Sequence, residues 1–336
     1  MRPRVGPPAA CVLAAAVSAA CVGAAPSASV GSPATPIPVE QVTIQLDFNI
    51  TPTLGTILWG IDRGYFEEQG IDLELLPGQG SDLALQQIDA GQVDFAFVDG
   101  SNYLTARVQG ITETTAIYAL INVSTTAITA KVELNEPQDM VGMSFGTIPQ
   151  SSGRQKIPLV LQQNGIDPAQ VPIELMDFGV LYPTLFLGGI DTAEVGYPGD
   201  FGNLFLSAQD EGITLYATSI SDWGFRDYSK LLIARNEVID GNPDLVGRLV
   251  AALDRSQDAL ADADAAAIYD LVSVHDPLTR REALERDWPD IQATVVNPGP
   301  MDDATFQYQL DILESSGTPV TIEPADLYTN QFIPGS

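Results

Sequence analysis

The stretch from Val42 to Leu76 constrains the fold more than any other part of the chain. VTIQLDF (42–48) alternates apolar and polar residues with the period of a strand. Leu54, Ile57, Leu58, Ile61 and Tyr65 then recur at helical spacing, after Thr51 in N-cap position and Pro52 in the first turn. GYF (64–66) closes that helix, and after Gly70 the alternation resumes in Ile71, Leu73 and Leu75. The segment is a strand–helix–strand unit with tight joints, the building block of a mostly parallel sheet.

The same alternation runs through the rest of the chain. Ser81 is placed to cap a short helix over DLALQQIDAG, which leads to the strand VDFAFV (93–98). The turn DGSN opens a helix through Tyr103 and Arg107, and TTAIYALI and STTAITA read as two further strands. A polar, turn-rich stretch, ELNEPQDMVG (133–142), marks a fresh start. MSFGT (143–147), VPIELMDF (171–178), TAEVGY (192–197) and GITLYATSI (212–220) are strands; QSSGRQKIPLVLQQNG (150–165) and VLYPTLFLGG (180–189) open helices. YSKLLIAR (228–235) is a return path, and Asn242, Pro243, Leu245, Leu249 and Leu253 begin a helical tail continuing through 264–288 and 302–315.

A chain of 336 residues can bury two such cores. The organisation expected is a leader over 1–21, a tether over 22–40, the first part of one lobe over 41–128, a second lobe over 129–227, and a return to the first lobe over 228–336. The fold class is α/β, two-lobed, with a cleft between the lobes. In such folds ligands sit at the carboxyl ends of strands and at domain interfaces.

Arg2 and Arg4 precede an Ala- and Val-rich run, Ala9 to Ala20, too short for a permanent membrane span. Cys21 and a Pro/Ser/Ala tether follow, the pattern of an export leader and linker. VSAAC resembles a bacterial lipobox with lipid on Cys21, although Ser18 stands where that pattern prefers Leu. Cleavage near Ala25 with release of a soluble protein is the alternative. An extracytoplasmic protein, anchored through Cys21, is expected. Both cysteines, Cys11 and Cys21, belong to the leader region, so the body has neither disulfide nor thiol chemistry.

With 15 basic residues against 44 acidic ones, the formal net charge is −29. Nucleic acid is excluded as a partner, because phosphate binding needs clustered Lys and Arg. The lysines are three, Lys131, Lys156 and Lys230. The acidity reads first as a solvated, self-repelling surface and second as cation binding.

Catalytic signals are poor. His275 is the one histidine, beside Asp276 at a helix end, where a capping role outweighs catalysis. Zinc sites and Ser-His-Asp or Cys-His arrangements lack their residues, and the phosphate-loop and nucleophile-elbow patterns are missing. No enzyme, cofactor or metal is expected. The strand-end loops instead carry aromatics and small hydrogen-bonding residues, which suit a flat organic ligand. The candidate ligand contacts are Phe48, Asn49, Asp99, Ser101, Gln150, Ser151, Ser152, Arg154, Tyr182, Tyr197, Asp200 and Trp223. QSSGR opens a helix whose free N–H groups could hold an acceptor or anion.

The G-Y-F-x-x-x-G-I-D-L element (64–73), the L-x-x-I-x-A-G-x-V-D-F element (85–95) and GNPDLVGRLVAAL (241–253) together resemble the NMT1/THI5-like solute-binding proteins of ABC importers. The resemblance covers roughly residues 42–260. It implies a type 2 periplasmic-binding-protein fold, a small-molecule ligand in the cleft, an ABC permease as partner, and a monomer. The family takes up thiamine-pyrimidine precursors, aliphatic sulfonates, nitrate and related compounds. Phe48 and Asn49 stand where pyrimidine-binding members have a Trp and a polar loop, but a nearby His of many members is absent. PQSSGR (149–154) occupies the position of the family's anion loop, and Tyr197 through Asp200 that of an aromatic and a Glu. The His- and Cys-rich cluster of the pyrimidine-synthesising relatives is missing, which argues against an enzyme. The aromatic content favours a heteroaromatic such as a thiamine-precursor pyrimidine. A sulfonate, nitrate or aromatic carboxylate held by Arg154 is the alternative, as is a sensor module without a transporter.

Overall fold

The computed structural model describes residues 38–296 and 299–335. The leader, Cys21 and the tether up to residue 37 lie outside them. In chain order the body runs β1 (Glu40–Gln45), α1 (Gly55–Asp62), α2 (Tyr65–Glu68), β2 (Ile71–Leu76), α3 (Ser81–Asp89), β3 (Phe95–Val98), α4 (Gly100–Val108), β4 (Thr114–Ile121) and β5 (Thr126–Ala130). It continues with β6 (Phe145–Thr147), α5 (Gly153–Gln163), β7 (Ile173–Leu175), α6 (Phe178–Leu187), β8 (Thr192–Gly196), α7 (Asp200–Asp210) and β9 (Tyr216–Ser219). Then come β10 (Lys230–Arg235), α8 (Asn236–Gly241), α9 (Pro243–Leu260), α10 (Ala265–His275), α11 (Arg281–Val295) and α12 (Asp303–Ser315).

The strands form two five-stranded sheets, in the orders β2-β1-β3-β10-β4 and β7-β6-β8-β5-β9. β1 is parallel to β2 with Glu40 opposite Ile71 and Gln45 opposite Leu76, while β10 runs antiparallel to β3 and β4. The chain crosses between the sheets twice, at 122–125 after β4 and at 220–229 before β10, so one lobe is built from two separated pieces of sequence.

The first helix differs from its sequence reading. Thr51 is extended but does not cap; its Oγ1 pairs with Thr53 Oγ1 at 2.9 Å, and Pro52–Leu54 forms a 3-10 turn. The helix then breaks at Gly64, left-handed at φ +73°, and Tyr65 and Phe66 belong to the separate turn α2. The break lets Phe66 fold back into the core that it shares with Trp59 and Leu253, where it is buried. Phe66→Ala is therefore expected to cost about 3–5 kcal/mol of folding stability, read by urea denaturation. Ser81 does not cap α3, whose N-cap is Gly80; its hydroxyl accepts the Asp99 N–H at 3.0 Å instead. Between TAEVGY and GITLYATSI the structure has a helix, α7, which the strand-to-strand reading passed over. Its Phe201, Leu204 and Ala208 recur at helical spacing and are buried.

Each sheet is covered on both faces. Ile44, Phe95 and Phe97 pack against α1, α9 and α11, and Ala96 and Val98 against α3, α4 and α12. In the second sheet Ile128 and Phe145 face α5, and Ala193 and Val195 face α6 and α7. Asn242 caps α9 by accepting the Leu245 N–H at 3.3 Å. Among the described residues no helix is long and apolar enough to cross a membrane.

Candidate functional site: the interlobe cleft

The carboxyl ends of β1 and β3 face those of β6 and β8 across a cleft. At its lip the two lobes touch. Gly80 takes φ +126°, and a Cβ there would lie 2.6 Å from Gln150 Cβ in the other lobe. Gly80→Ala is expected to cost about 1–3 kcal/mol through this overlap and the disfavoured backbone, measured by denaturation.

The base of the cleft is cross-linked by charge. Lys156, in the first turns of α5, is fully buried and sits 2.5 Å from Asp99 Oδ2 and 2.5 Å from Asp227 Oδ2. Asp99 is the N-cap of α4, accepting the Ser101 N–H at 2.9 Å, and the Ser101 hydroxyl donates to Asp227 at 3.3 Å. Lys156 therefore ties the second lobe to both the first lobe and the crossing segment. Two carboxylates face one ammonium. Burial pushes Asp99 up to about 6 against the pull of Lys156, with the Asp227 charge adding to the rise. Burial alone would lower Lys156, but Asp227 and Asp99 hold it above its ordinary value. A second pair, Lys230 with Asp47, joins β10 to the end of β1, and Ser81 contacts the same carboxylate at 3.5 Å.

On the second lobe, Glu194 of β8 occupies the N-terminus of α5. It accepts the Gly153 N–H at 3.0 Å and hydrogen bonds from Thr147 and Ser151. The helix end that the sequence assigned to an incoming anion thus holds an internal carboxylate, satisfying the free N–H and the helix dipole. Asp200, the first residue of α7, behaves differently. It is exposed to solvent, although lobe II and the C-terminal helices crowd around it, and it makes no hydrogen bond or ion pair among the described residues. Burial pushes it up to about 6, with Asp276, Asp287 and Asp47 adding to the rise and Lys230 opposing it. Tyr182 lies within the field of both Asp200 and Glu194; burial, then these charges, raise its hydroxyl. That hydroxyl has no hydrogen-bond partner among the described residues either. Phe178 stacks edge-on against Tyr182 at 5.7 Å and is largely exposed.

The twelve sequence candidates divide accordingly. Asp99, Ser101, Ser151 and Ser152 gather around Lys156 and the start of α5, with Ser152 Oγ 3.4 Å from Thr126 Oγ1. Phe48, Asn49 and Gln150 sit at the open rim, and Tyr182 and Asp200 share one wall. Tyr197 turns toward α11, donating its hydroxyl to Asp290 at 2.9 Å, and burial with that contact pushes it up to about 12. Arg154 points to the flank of α5, away from Glu194. Trp223 is not brought to the cleft: it is buried in the second lobe's core with Ile128, Ile157 and Phe225. Lys156, Lys230, Glu194 and Asp227 were not picked out as site residues. A lysine in a chain with only three was the available signal, but its partners Asp99 and Asp227 come from two distant segments.

Two covered sheets facing across a cleft, with the chain crossing twice between them, define the periplasmic-binding-protein fold. The NMT1/THI5-like family model matches residues 51–267, and the chain belongs to that family. A relative in Brucella abortus (strain 2308), named as a binding protein, is 24% identical over 227 residues, spanning 64% of this chain and 69% of its own. Among solved structures, the chain is similar to the alkanesulfonate-binding protein SsuA from Xanthomonas axonopodis pv. citri, bound to MOPS. That likeness has a TM-score of 0.67 at 13% identity, over 88% of this chain and 99% of the other. The desulfurization enzyme DSZB is similar at a TM-score of 0.58 and 12% identity, over 87% of this chain and 97% of the other. At such identities the likeness is one of fold.

Proposed function

We propose that this chain is the extracytoplasmic solute-binding component of an ABC importer, capturing a small heteroaromatic that presents N–H donors, such as a thiamine-precursor aminopyrimidine. The observation that carries this reading is that Asp200 and Tyr182, which share a crowded but solvent-exposed wall near Glu194, have no hydrogen-bond partners among the described residues. A carboxylate in such a place can accept hydrogen bonds from a donor-bearing or cationic guest, and such charge-assisted bonds are stronger than neutral ones. Tyr182 and Phe178 offer aromatic surface for the ring. Anions are disfavoured: Lys156 and Lys230 are already ion-paired, and Glu194 takes the helix end.

In this reading the protein acts as a monomer, presents the closed lobes to a permease, and is anchored through lipid on Cys21. Cys21→Ser would then release it into the medium, visible by fractionation. The ligand test is thermal unfolding against 4-amino-5-hydroxymethyl-2-methylpyrimidine, alkanesulfonates, nitrate and benzoate. A ligand at a hundred times its Kd adds about 2.7 kcal/mol and shifts Tm by several degrees. A shift with the aminopyrimidine alone supports the reading; a shift confined to the anions sinks it.

A further inference from the structure

A cavity of about 570 Å³ opens on the flank of the lobe junction, where α3 and α4 of the first lobe meet α5 of the second. α12 closes it, packing against both α4 and α5. Its volume is that of a small-molecule site. Much of the wall is apolar, from Leu85, Leu104, Leu159, Ile312 and Leu313. Phe48, Tyr182, Glu194 and Asp200 of the cleft take no part in it.

Two opposite charges line this cavity without a charged partner. Arg154, in the first turn of α5, is exposed. It is the one lysine or arginine among the described residues with no hydrogen bond, ion pair or aromatic ring against it. That is unexpected in a chain with 44 acidic residues to 15 basic ones. Asp82, in the first turn of α3, is half-buried; one of its oxygens accepts from Asn102 Nδ2 at 2.7 Å, and it meets no cation among the described residues. Arg154 and Asp82 do not pair with each other, although their helices begin side by side. The lobes touch at Gly80 and Gln150, just before the two residues in sequence. The Thr105 hydroxyl, one turn along α4 from Asn102, donates to Gln155 Oε1 at 3.3 Å, next to Arg154. Two separated opposite charges beside an apolar wall complement a guest that carries both charges at one end.

From this arrangement we infer that the flank cavity is a second ligand site, for a zwitterionic α-amino acid with an apolar side chain. The guest's carboxylate would accept from the Arg154 guanidinium, a planar fork suited to it. Its ammonium would donate to Asp82, and its side chain would lie on the leucine-lined wall. A carboxylate without an amine would bring another negative charge beside Asp82, in a chain already at −29. An amine without a carboxylate would leave Arg154 unpaired. Because Asp82 belongs to the first lobe and Arg154 to the second, the guest would bridge the lobes outside the cleft.

The experiment is a calorimetric titration of the protein with L-leucine, and with isocaproate and isoamylamine, which keep its branched chain but carry one charge each. The expected result is saturable leucine binding, with both analogues about tenfold weaker or more. Arg154→Gln and Asp82→Asn should each weaken leucine binding about tenfold, the low end for hydrogen bonds to charged groups, because Arg154 is exposed. Both variants should keep the native Tm when ligand-free: Arg154 has no partner to lose, and asparagine can still accept from Asn102. Ile312→Trp, which narrows the cavity from α12, should also lower the affinity. Three results would overturn the inference: no saturable leucine binding at millimolar concentration, isocaproate or isoamylamine binding as tightly as leucine, or native affinity in any of the three variants.

Discussion

Lys156→Met is expected to destabilise the folded chain by about 3–5 kcal/mol, the cost of removing one partner from a buried ion cluster. Asp99 and Asp227 would remain, both buried and without their cation. The methionine chain fills the space of the lysine stem, so packing loss is small and the effect is electrostatic. Its pH dependence carries the signature. Asp99 holds its proton up to about 6 in the folded state, against an ordinary 3.8. The folded state therefore binds more protons than the unfolded one between these values, and stability rises as pH falls from 6 toward 4. Without Lys156, which lowers the Asp99 carboxyl, Asp99 needs its proton more, so the deficit of the variant should shrink on going from about pH 7.5 to about pH 5. Urea denaturation of both proteins at the two pH values measures this. A deficit that does not change with pH would locate the loss in packing.

Asp200→Asn is expected to weaken binding of the aminopyrimidine about 10- to 100-fold, the worth of hydrogen bonds to a charged group. The native protein should itself bind about tenfold more weakly at about pH 5 than at about pH 7.5. The sign follows from the carboxyl at Asp200, which takes up its proton near 6 and so loses its acceptor charge below that value. In the asparagine variant the part of the pH dependence due to the protein should vanish, while folding stability at neutral pH should not fall, because the carboxylate has no partner to lose. Calorimetric titration at both pH values distinguishes this from a ligand that ignores Asp200. Equal affinity in the two proteins at neutral pH would move the site elsewhere in the cleft.

Much of the scaffold is legible in the sequence because its causes are local. The alternation in VTIQLDF and IDLELL sets the paired strands β1 and β2, and Asn242 with Pro243 sets the start of α9. The G-Y-F element carried the family resemblance through residues that only shape the first lobe. Gly64 was visible as a glycine, but that it divides one helix into two depends on where Phe66 finds the core. α7 was passed over for a related reason: DFGNLFLSAQD is apolar and aromatic enough to read as a continuation, and its helical face is defined by what covers it.

The cleft was legible as a set of loops and not as a set of contacts. Asp99, Ser151, Tyr182 and Asp200 follow from the rule that strand ends carry ligand residues. Tyr197 and Trp223 obey the same rule in sequence, yet one hydroxyl binds Asp290 and the other ring fills a core. An aromatic near a strand end can turn either way, and only its neighbours decide. The sequence by itself determined the two-lobed α/β class and the family, since both rest on periodicity and short motifs. Only the tertiary structure decided which charges are spent on one another. Lys156 meets Asp99 and Asp227 from positions 57 and 71 residues away, Glu194 fills the helix end at Gly153, and Asp200 is left without a partner. Charge pairing depends on distance in space, and in this fold the chain crosses twice between the lobes before those distances are set.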